Sequence, residues 1–258
     1  MQKSVEIQSR GLTLRGMMHV PDNMKNKISM VCMFHGFTGN KAEKHFIFVK
    51  LSRMLEKIGI GSVRFDFSGS GESDGEFVDM TILTELQEAK DILNYVKGLE
   101  FVDNNNIGVL GLSMGGAVSS ILAGDCKESV KALCLWAPAG NMGEIVKNFE
   151  TDKNVDTIQN KGFLDIGGFC VGIDFVKALN GLDIFNRSSV YDKNVLLIHG
   201  NLDETVPFKT SERYLDIYGE NAFLHPIEGS DHTFNRKDWE DEVLDCTSEF
   251  FRTELIDK

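Results

Sequence analysis

The sequence has few cysteines, and they are badly placed for metal binding or cross-linking. Among 258 residues there are five, an odd number, far apart and with no C-x-x-C pair. This pattern argues against a disulfide framework, a zinc site and a dithiol redox couple. Cys32 and Cys134 lie inside apolar runs, where a thiol is usually a small buried side chain. We therefore expect structural thiols and no bound metal.

Positive charge and long apolar runs are also scarce. The chain has 27 Lys and Arg against 39 Asp and Glu, a formal net charge of −12, so a polyanion would be repelled at long range and nucleic acid is not an expected partner. The longest nearly unbroken apolar stretch, 28–34, is far shorter than the ~20 residues of a membrane-spanning helix. Residues 1–6 lack the apolar region of a signal peptide. We expect a cytoplasmic protein with no membrane association.

What the sequence does contain is the alternation of an α/β domain. Its length and 42% apolar content suit one large core. The first twenty residues alternate about a turn at 9–11, which predicts an antiparallel hairpin. Short apolar runs typical of strands buried on both faces follow, separated by helical periods. These runs lie at 28–34, 60–66, 107–112, 131–137 and 195–200. The pattern predicts a mostly parallel sheet with helices on both faces.

One segment interrupts this alternation. The apolar spacing from Ile82 to Val96 predicts a helix after a candidate cap at Asp79, and a last helix runs through the C-terminal region. Between the runs at 131–137 and 195–200, however, lie more than fifty residues with weak periodicity. A structureless loop of that size is improbable in a compact domain. We predict a lid at 141–190 inserted into a core of 1–140 and 191–258.

A serine between two glycines is the clearest chemical signal. Gly111-x-Ser113-x-Gly115 follows a predicted strand and precedes a run of small residues that predicts a helix. This is the nucleophile-elbow pattern, in which the turn is so tight that only glycine fits two residues on either side of the serine. The context predicts that Ser113 is a nucleophile exposed above the sheet edge.

An acid and a base follow this serine in chain order. Asp203 lies in the polar turn after a buried strand, and Glu204 beside it is the alternative acid. His232 lies in a loop before the last helix, and the adjoining Asp231 is interpreted as a solvated carboxylate. We predict that Ser113 attacks an acyl carbon, that His232 takes and returns its proton, and that Asp203 fixes the imidazole tautomer.

The remaining histidines give weaker signals. His199 ends a buried strand beside a glycine, where an imidazole usually satisfies a turn. We expect surface or core roles for the histidines in segments without a partner signal. These are His19, His45 and His225.

Backbone amides are the expected donors to a developing oxyanion. Met114 directly follows the serine, and Phe37 follows a buried strand and His35-Gly36, so we predict their N–H groups as the two donors. The glycine-rich stretch 64–75 lacks dinucleotide spacing and carries three carboxylates, which favours a structural loop over a phosphate site. No motif of the sequence implies a cofactor.

Taken together, these motifs resemble the serine α/β-hydrolases over almost the whole chain, and in particular the bacterial cinnamoyl (feruloyl) esterases. The segments that carry the resemblance are 35–39, 64–75, 111–116 and 197–200, with Asp203 and His232. The resemblance implies the α/β-hydrolase fold, release of hydroxycinnamic acids from small-molecule esters, and oxyanion donors at Phe37 and Met114. It also implies that Phe37 and the lid at 141–190 bind the substrate.

Several alternatives stay open at this point. The same machinery suits a short-chain carboxylesterase, a monoglyceride-lipase-like hydrolase or a thioesterase, and the fold also occurs in non-catalytic binding modules. In the region that matches the phenol-binding part of the lid, this chain has Cys170. Homodimers occur among similar enzymes, and a homodimer is one expectation for this chain.

Overall fold

The computed structural model describes residues 1–22, 26–149, 157–158 and 160–257. Its strands are β1 Gln2–Ser9, β2 Leu12–His19, β3 Ile28–Phe34, β4 Gly61–Phe65, β5 Val102–Leu112, β6 Ala132–Trp136, β7 Phe163–Ile166, β8 Phe169–Gly172, β9 Val195–Gly200 and β10 Ala222–Ile227. Its α-helices are α1 Ile47–Lys57, α2 Ile82–Lys97, α3 Met114–Asp125, α4 Met142–Phe149, α5 Ile173–Leu179, α6 Ile184–Ser188, α7 Lys209–Tyr218 and α8 Lys237–Leu255. Short 3₁₀ turns lie at Lys44–Phe46, Phe77–Asp79 and Gly219–Asn221.

Eight of the described strands form one sheet in the order β1-β2-β4-β3-β5-β6-β9-β10. β1 and β2 form an antiparallel hairpin, β2 pairs antiparallel with β4, and the remaining neighbours are parallel. The α/β-hydrolase fold with its mostly parallel sheet and N-terminal hairpin is thereby confirmed. Because parallel strands share a direction, the loops after β3, β5, β9 and β10 meet at one edge.

The helices cover both faces of the sheet. Alternate side chains of β3 point to opposite sides: Met30 and Cys32 join a cluster with α2 and α3, while Val31 and Met33 join a cluster with α1 and α8. Both clusters are almost fully buried. The sheet is therefore rigidly packed from both sides, which fixes the edge where the candidate residues lie.

The start of α2 differs from the sequence expectation. Its N-cap is Thr81, whose hydroxyl accepts a hydrogen bond from the Thr84 N–H at 3.0 Å, while the Thr84 hydroxyl accepts from the Thr81 N–H at 2.9 Å. Asp79, the expected cap, ends the preceding 3₁₀ turn instead. This reciprocal threonine pair satisfies two N-terminal amides, so no carboxylate is needed there.

Within the predicted lid, β7 and β8 form a separate antiparallel hairpin. Its turn residues Gly167 and Gly168 have positive φ, and a Cβ added at either would have no described atom within 4 Å. Gly172 at the other end is tightly packed, because a Cβ there would lie 2.3 Å from the carbonyl oxygen of Val78. The hairpin is thus seated against the Phe77–Asp79 turn.

The rest of the predicted lid is described in part. α6 packs against α3, and the Ser188 hydroxyl donates to the Ser120 hydroxyl at 2.9 Å. Residues 150–156 and 159 lie outside the described residues. The bounds 141–190 stay a prediction. None of the helices in the described ranges is long and apolar enough to cross a membrane.

Candidate active site

Ser113 stands at a strained turn between β5 and α3. Its backbone has φ 55° and ψ −117°, a region that non-glycine residues rarely adopt. A Cβ on Gly111 would lie 2.1 Å from the carbonyl oxygen of Gly115, and a Cβ on Gly115 would lie 2.2 Å from that of Phe34. Both glycines are therefore required by close backbone approach, and the serine is held at the edge of the sheet.

Two side chains from neighbouring strand ends meet this serine. His232, in the loop after β10, lies with Nε2 2.9 Å from Ser113 Oγ. Its Nδ1 lies 2.6 Å from Oδ2 of Asp203, in the turn after β9. The three side chains form one hydrogen-bonded chain, although 119 positions separate the serine from the histidine. This is the geometry in which an imidazole can accept a serine proton while a carboxylate orients it.

The carboxylate of Asp203 is fully enclosed and well supplied with donors. Its Oδ1 accepts from the N–H groups of Thr205 at 2.7 Å and Val206 at 2.8 Å. Burial raises the pKa of Asp203, but the hydrogen bonds from His199 and His232 outweigh burial and hold this pKa well below its ordinary value. The group is therefore ionised at neutral pH, next to the imidazole that would become positive.

The rival carboxylates are placed differently. Glu204 is exposed to solvent. Asp231 accepts hydrogen bonds from the N–H of Asn235 at 3.0 Å and from its side-chain amide at 2.8 Å, so it shapes the loop that carries His232. Neither residue takes the position that Asp203 has against Nδ1 of His232.

Two histidines have contacts with this site that the sequence pattern did not indicate. His199, expected to satisfy a turn, lies with Nε2 3.0 Å from Oδ2 of Asp203. His45, in the Lys44–Phe46 turn before α1, has Nε2 3.0 Å from the carbonyl oxygen of Thr233 and Nδ1 2.8 Å from Glu240. The available signal for His199 is that a buried strand histidine must find polar partners, and Asp203 is the first carboxylate after it along the chain.

The loop after β3 approaches the serine closely. A Cβ on Gly36 would lie 3.2 Å from Cβ of Ser113. The Gly36 N–H donates to Glu43 at 2.6 Å, and its carbonyl oxygen accepts from the Gly39 N–H at 2.9 Å. His35, fully buried, accepts from the Phe67 N–H through Nε2 at 3.1 Å, so its Nδ1 carries the proton and donates to the Gly36 carbonyl at 2.9 Å. This peptide is therefore fixed from several directions.

The stretch 64–75 forms a loop around a buried carboxylate. Asp66 accepts from the N–H of Lys41 at 2.6 Å and from the N–H of Glu72 at 2.9 Å, and its side chain also pairs with the ammonium group of Lys41. A carboxylate in that position would repel a phosphate. These contacts agree with the interpretation of this stretch as a structural loop. In the described part of the chain, no group of three or more His, Cys, Asp or Glu is arranged to hold a metal ion.

Four phenylalanine rings join the predicted lid to this edge, and we call them the aromatic column. Phe37 lies with its ring centroid 5.5 Å from that of Phe77 and 5.4 Å from that of Phe175 in α5. Phe77 in turn lies 4.9 Å from Phe169 in β8. Ring contacts at these distances are favourable beyond the area they bury. The column therefore connects the loop next to Ser113 to two elements of the predicted lid.

A family model and a solved structure of a similar protein both match this chain. A family model described as "Serine aminopeptidase, S33" matches residues 25–160, more than half of the chain. The structure of Est1E from Butyrivibrio proteoclasticus with bound ferulic acid superimposes with a TM-score of 0.88 and 28% sequence identity, covering 98% of this chain and 100% of that one.

Two curated relatives match less of the chain. The human mitochondrial palmitoyl-protein thioesterase ABHD10 is 26% identical over 197 residues, which cover 72% of this chain and 62% of that protein. An uncharacterized 31.7 kDa protein from the traX-finO intergenic region of Escherichia coli is 29% identical over 109 residues, 42% of this chain and 36% of that protein, so this match spans about a third of the relative. The family match, the sheet order and the likeness to Est1E show that the chain belongs to the serine aminopeptidase S33 family of α/β-hydrolases and resembles the cinnamoyl esterases within that fold.

Proposed function

We propose that this protein is a serine carboxylic-ester hydrolase that works through an acyl-enzyme on Ser113, with hydroxycinnamoyl esters as its substrate class. The observation that carries the proposal is the hydrogen-bonded chain from Ser113 through His232 to Asp203, with distances of 2.9 and 2.6 Å. Family membership supports hydrolysis, and the likeness to a structure with bound ferulic acid supports the acyl group.

The roles follow from what each group can do. The Ser113 hydroxyl attacks the ester carbonyl while Nε2 of His232 accepts its proton, and the imidazolium then donates that proton to the departing alcohol. A water molecule repeats the sequence on the acyl-enzyme and releases the acid. Asp203 stabilises the imidazolium and keeps the proton of neutral His232 on Nδ1, so that Nε2 is free to accept.

The negative oxygen that forms at each step needs rigid donors, and we propose the N–H groups of Phe37 and Met114. Met114 is the first residue of α3, and amides in the first turn of a helix have no partner within the helix. The carbonyl of the Gly36–Phe37 peptide is held by His35 and Gly39. In a trans peptide the C=O and N–H point in opposite directions, so holding the carbonyl also fixes the direction of the Phe37 N–H.

The aromatic column supports an aromatic acyl group. Phe37 would contribute its amide to the oxyanion and its ring to the wall shared with Phe77 and Phe175. A planar cinnamoyl group stacks on such rings more favourably than a short alkyl chain. We propose that residues 141–190 form the lid that covers this acyl group.

The test is a hydrolysis panel of methyl ferulate and p-nitrophenyl acetate, butyrate and octanoate with the parent and with Ser113→Ala. Ser4→Ala, which changes an exposed serine of the edge strand β1, is the matched control. We expect Ser113→Ala to lose hydrolysis of every ester, and Ser4→Ala to retain it. Intact-mass measurement after a fluorophosphonate should show one adduct on the parent and none on Ser113→Ala.

Each part of the proposal has an outcome that contradicts it. Turnover of the panel by folded Ser113→Ala at the parental rate would remove the nucleophile assignment. If kcat/KM for acetate and butyrate far exceeded that for methyl ferulate, the hydroxycinnamoyl assignment would be wrong, and a short-chain carboxylesterase would replace it.

A further inference from the structure

We infer that His199 is a positioning residue for Asp203, donating a hydrogen bond from Nε2 to the same carboxylate oxygen that holds His232. The inference rests on the proposed function, because it assigns a task to the partner of the proposed base. The carboxylate would then be held by two imidazoles, one that takes part in proton transfer and one that does not.

The contacts of His199 define its protonation. Its Nε2 lies 3.0 Å from Oδ2 of Asp203 and 3.0 Å from the carbonyl oxygen of Val206. A carbonyl oxygen only accepts hydrogen bonds, so Nε2 carries the proton. Nδ1 lies 2.7 Å from the hydroxyl of Ser211, which can donate to it. A neutral imidazole protonated on Nε2 satisfies all three partners.

The surroundings keep this arrangement fixed. The side chains of His199 and Asp203 are both 0% exposed, whereas that of His232 is 16% exposed. The ring of Phe208 lies 5.5 Å from that of His199. Hydrogen bonds in such a dry site are stronger and more directional than in water. His199 therefore orients the carboxylate plane toward His232 without contact with solvent.

The position of His199 also excludes a second role as the base. Its Nε2 proton is shared between Asp203 and Val206, and its Nδ1 faces Ser211. Ser113 is instead within hydrogen-bond reach of His232. His199 thus acts through Asp203 and does not touch the reacting atoms.

Sharing one oxygen has an electrostatic consequence. Each donor withdraws part of the negative charge that Asp203 presents to the others, so the His199 contact weakens the hold of Oδ2 on a positive His232. Without it, the carboxylate would stabilise the imidazolium more strongly. Among the described residues, the titratable side chains that form hydrogen bonds with Asp203 are His199 and His232. Thr205 and Val206 contribute only backbone amides to Asp203.

The two side-chain amides allow a matched test. Glutamine places an amide near the position of Nε2 and asparagine near that of Nδ1, so His199→Gln keeps the donor to Asp203 and His199→Asn removes it. Ser211→Ala is the control, because it disturbs the same buried histidine without removing that donor. For each folded variant, kcat, KM and the pH profile of kcat/KM are measured on the ester that the parent hydrolyses best.

We expect His199→Asn to lower kcat roughly tenfold, the scale of one buried hydrogen bond to a charged group, because the lost orientation of the carboxylate outweighs its stronger hold on the imidazolium. KM should stay within about twofold of the parent. Its acid limb of kcat/KM should move to higher pH by about half a unit to one unit. His199→Gln and Ser211→Ala should keep the parental limb. The low-field proton NMR signal of His232 Nδ1–H should shift in His199→Asn alone.

The outcomes separate this inference from the proposed function. If Ser113→Ala is inactive but folded His199→Asn has the parental pH profile and kcat, the positioning role is wrong and the proposed function stands. If His199→Gln shows the same shifted limb as His199→Asn, the effect belongs to core packing and the inference is also wrong. If Ser113→Ala hydrolyses esters as the parent does, the proposed function itself fails.

Discussion

At the sheet edge, Asp203 receives hydrogen bonds from two imidazoles and two backbone amides, and each donor has a defined direction. Where β8 and α5 of the predicted lid meet Phe37 and the Phe77–Asp79 turn, the contacts described above are ring against ring and one glycine against the carbonyl of Val78. Hydrogen bonds weaken steeply with angle, whereas apolar contacts tolerate sliding. Under the proposed function, this difference assigns the reaction to the edge and the choice of acyl group to the predicted lid.

The largest effect that this comparison predicts is at the base. His232→Ala should lower kcat by roughly 10³-fold or more while the protein remains folded, because the serine proton loses its acceptor. His225→Ala, in β10 and paired with Glu242, is the matched control and should retain parental kcat. Steady-state kinetics measure kcat for both variants, and circular dichroism checks that each is folded. A folded His232→Ala variant near the parental rate would transfer the base role to another group.

The next effect separates the two neighbouring carboxylates. Asp203→Asn should lower kcat by roughly 10²-fold to 10⁴-fold. The single amide oxygen would face the N–H groups of Thr205 and Val206, which leaves the NH₂ group facing both imidazoles and favours the wrong tautomer of His232. Glu204→Gln, an exposed change one residue along, should stay within about twofold. The comparison uses kcat on the same ester for both variants. Equal losses in the two would mean that Asp203 has no special role.

A smaller and more selective effect is expected at the lid. Phe175→Leu removes one ring contact to Phe37, worth about 1 kcal/mol, and should raise KM for methyl ferulate several-fold. For p-nitrophenyl acetate, KM should change less than about twofold. Ile173→Ala, at an exposed position of the same helix, is the control. If Phe175→Leu lowered kcat for both esters equally, the predicted lid would act on the reaction itself. The division of roles between the sheet edge and the lid would then be wrong.

The smallest effect concerns stability in α2, the helix that α5 of the lid contacts. Burial, with the nearby charge of Glu88, raises the pKa of Glu85 well above its ordinary value of 4.5, and Oε2 of Glu85 has no hydrogen-bond partner among the described residues. The unfolded chain ionises this group above pH 4.5, so stability is lost as pH rises above that value. Glu85→Gln should raise Tm at pH 8 by about 2 °C and change little at pH 4.

Glu88, one turn further along α2, is the matched contrast. It accepts from the Ser68 N–H at 2.9 Å and pairs with Arg10 at 2.8 Å. Glu88→Gln should therefore lower Tm at pH 8, because it weakens a satisfied buried carboxylate. Differential scanning calorimetry at both pH values measures the pair. A Glu85→Gln variant with lower Tm at pH 8 would contradict the assignment of an uncompensated carboxyl group.

The parts predictable from the sequence are those where backbone geometry restricts the residue type. At Gly111 and Gly115 a Cβ atom would lie about 2 Å from a backbone carbonyl oxygen, so only glycine fits. The G-x-S-x-G motif contains both glycines and therefore predicts this close approach. The parallel sheet is predictable from buried runs, because both faces of its strands are covered. The order of nucleophile, acid and base along the chain then identified Asp203 and His232 as candidates. The structure brings both side chains into one hydrogen-bonded chain with Ser113.

The parts that could not be predicted depend on the directions of side chains. The contact of His199 with Asp203 requires that a strand residue and a turn residue point the same way, and no motif states this. The Thr81 cap was missed because Asp79 also suits a helix start, and only the chain path excludes it. The hairpin of β7 and β8 is four residues per strand, too short for a reliable period. The catalytic roles, the lid bounds, the cytoplasmic location and the oligomeric state stay predictions.

The two ends of the β7–β8 hairpin have opposite tolerance for change. At Gly172 even one added methyl group would collide with the backbone below, so this end serves as a fixed anchorage. A Cβ added at Gly167 or Gly168 would have no atom of the described residues within 4 Å, and insertions there would extend outward without disturbing the anchorage. Under the proposed function, loops of other lengths grafted at this tip should change which esters are accepted and leave Ser113, His232 and Asp203 in place.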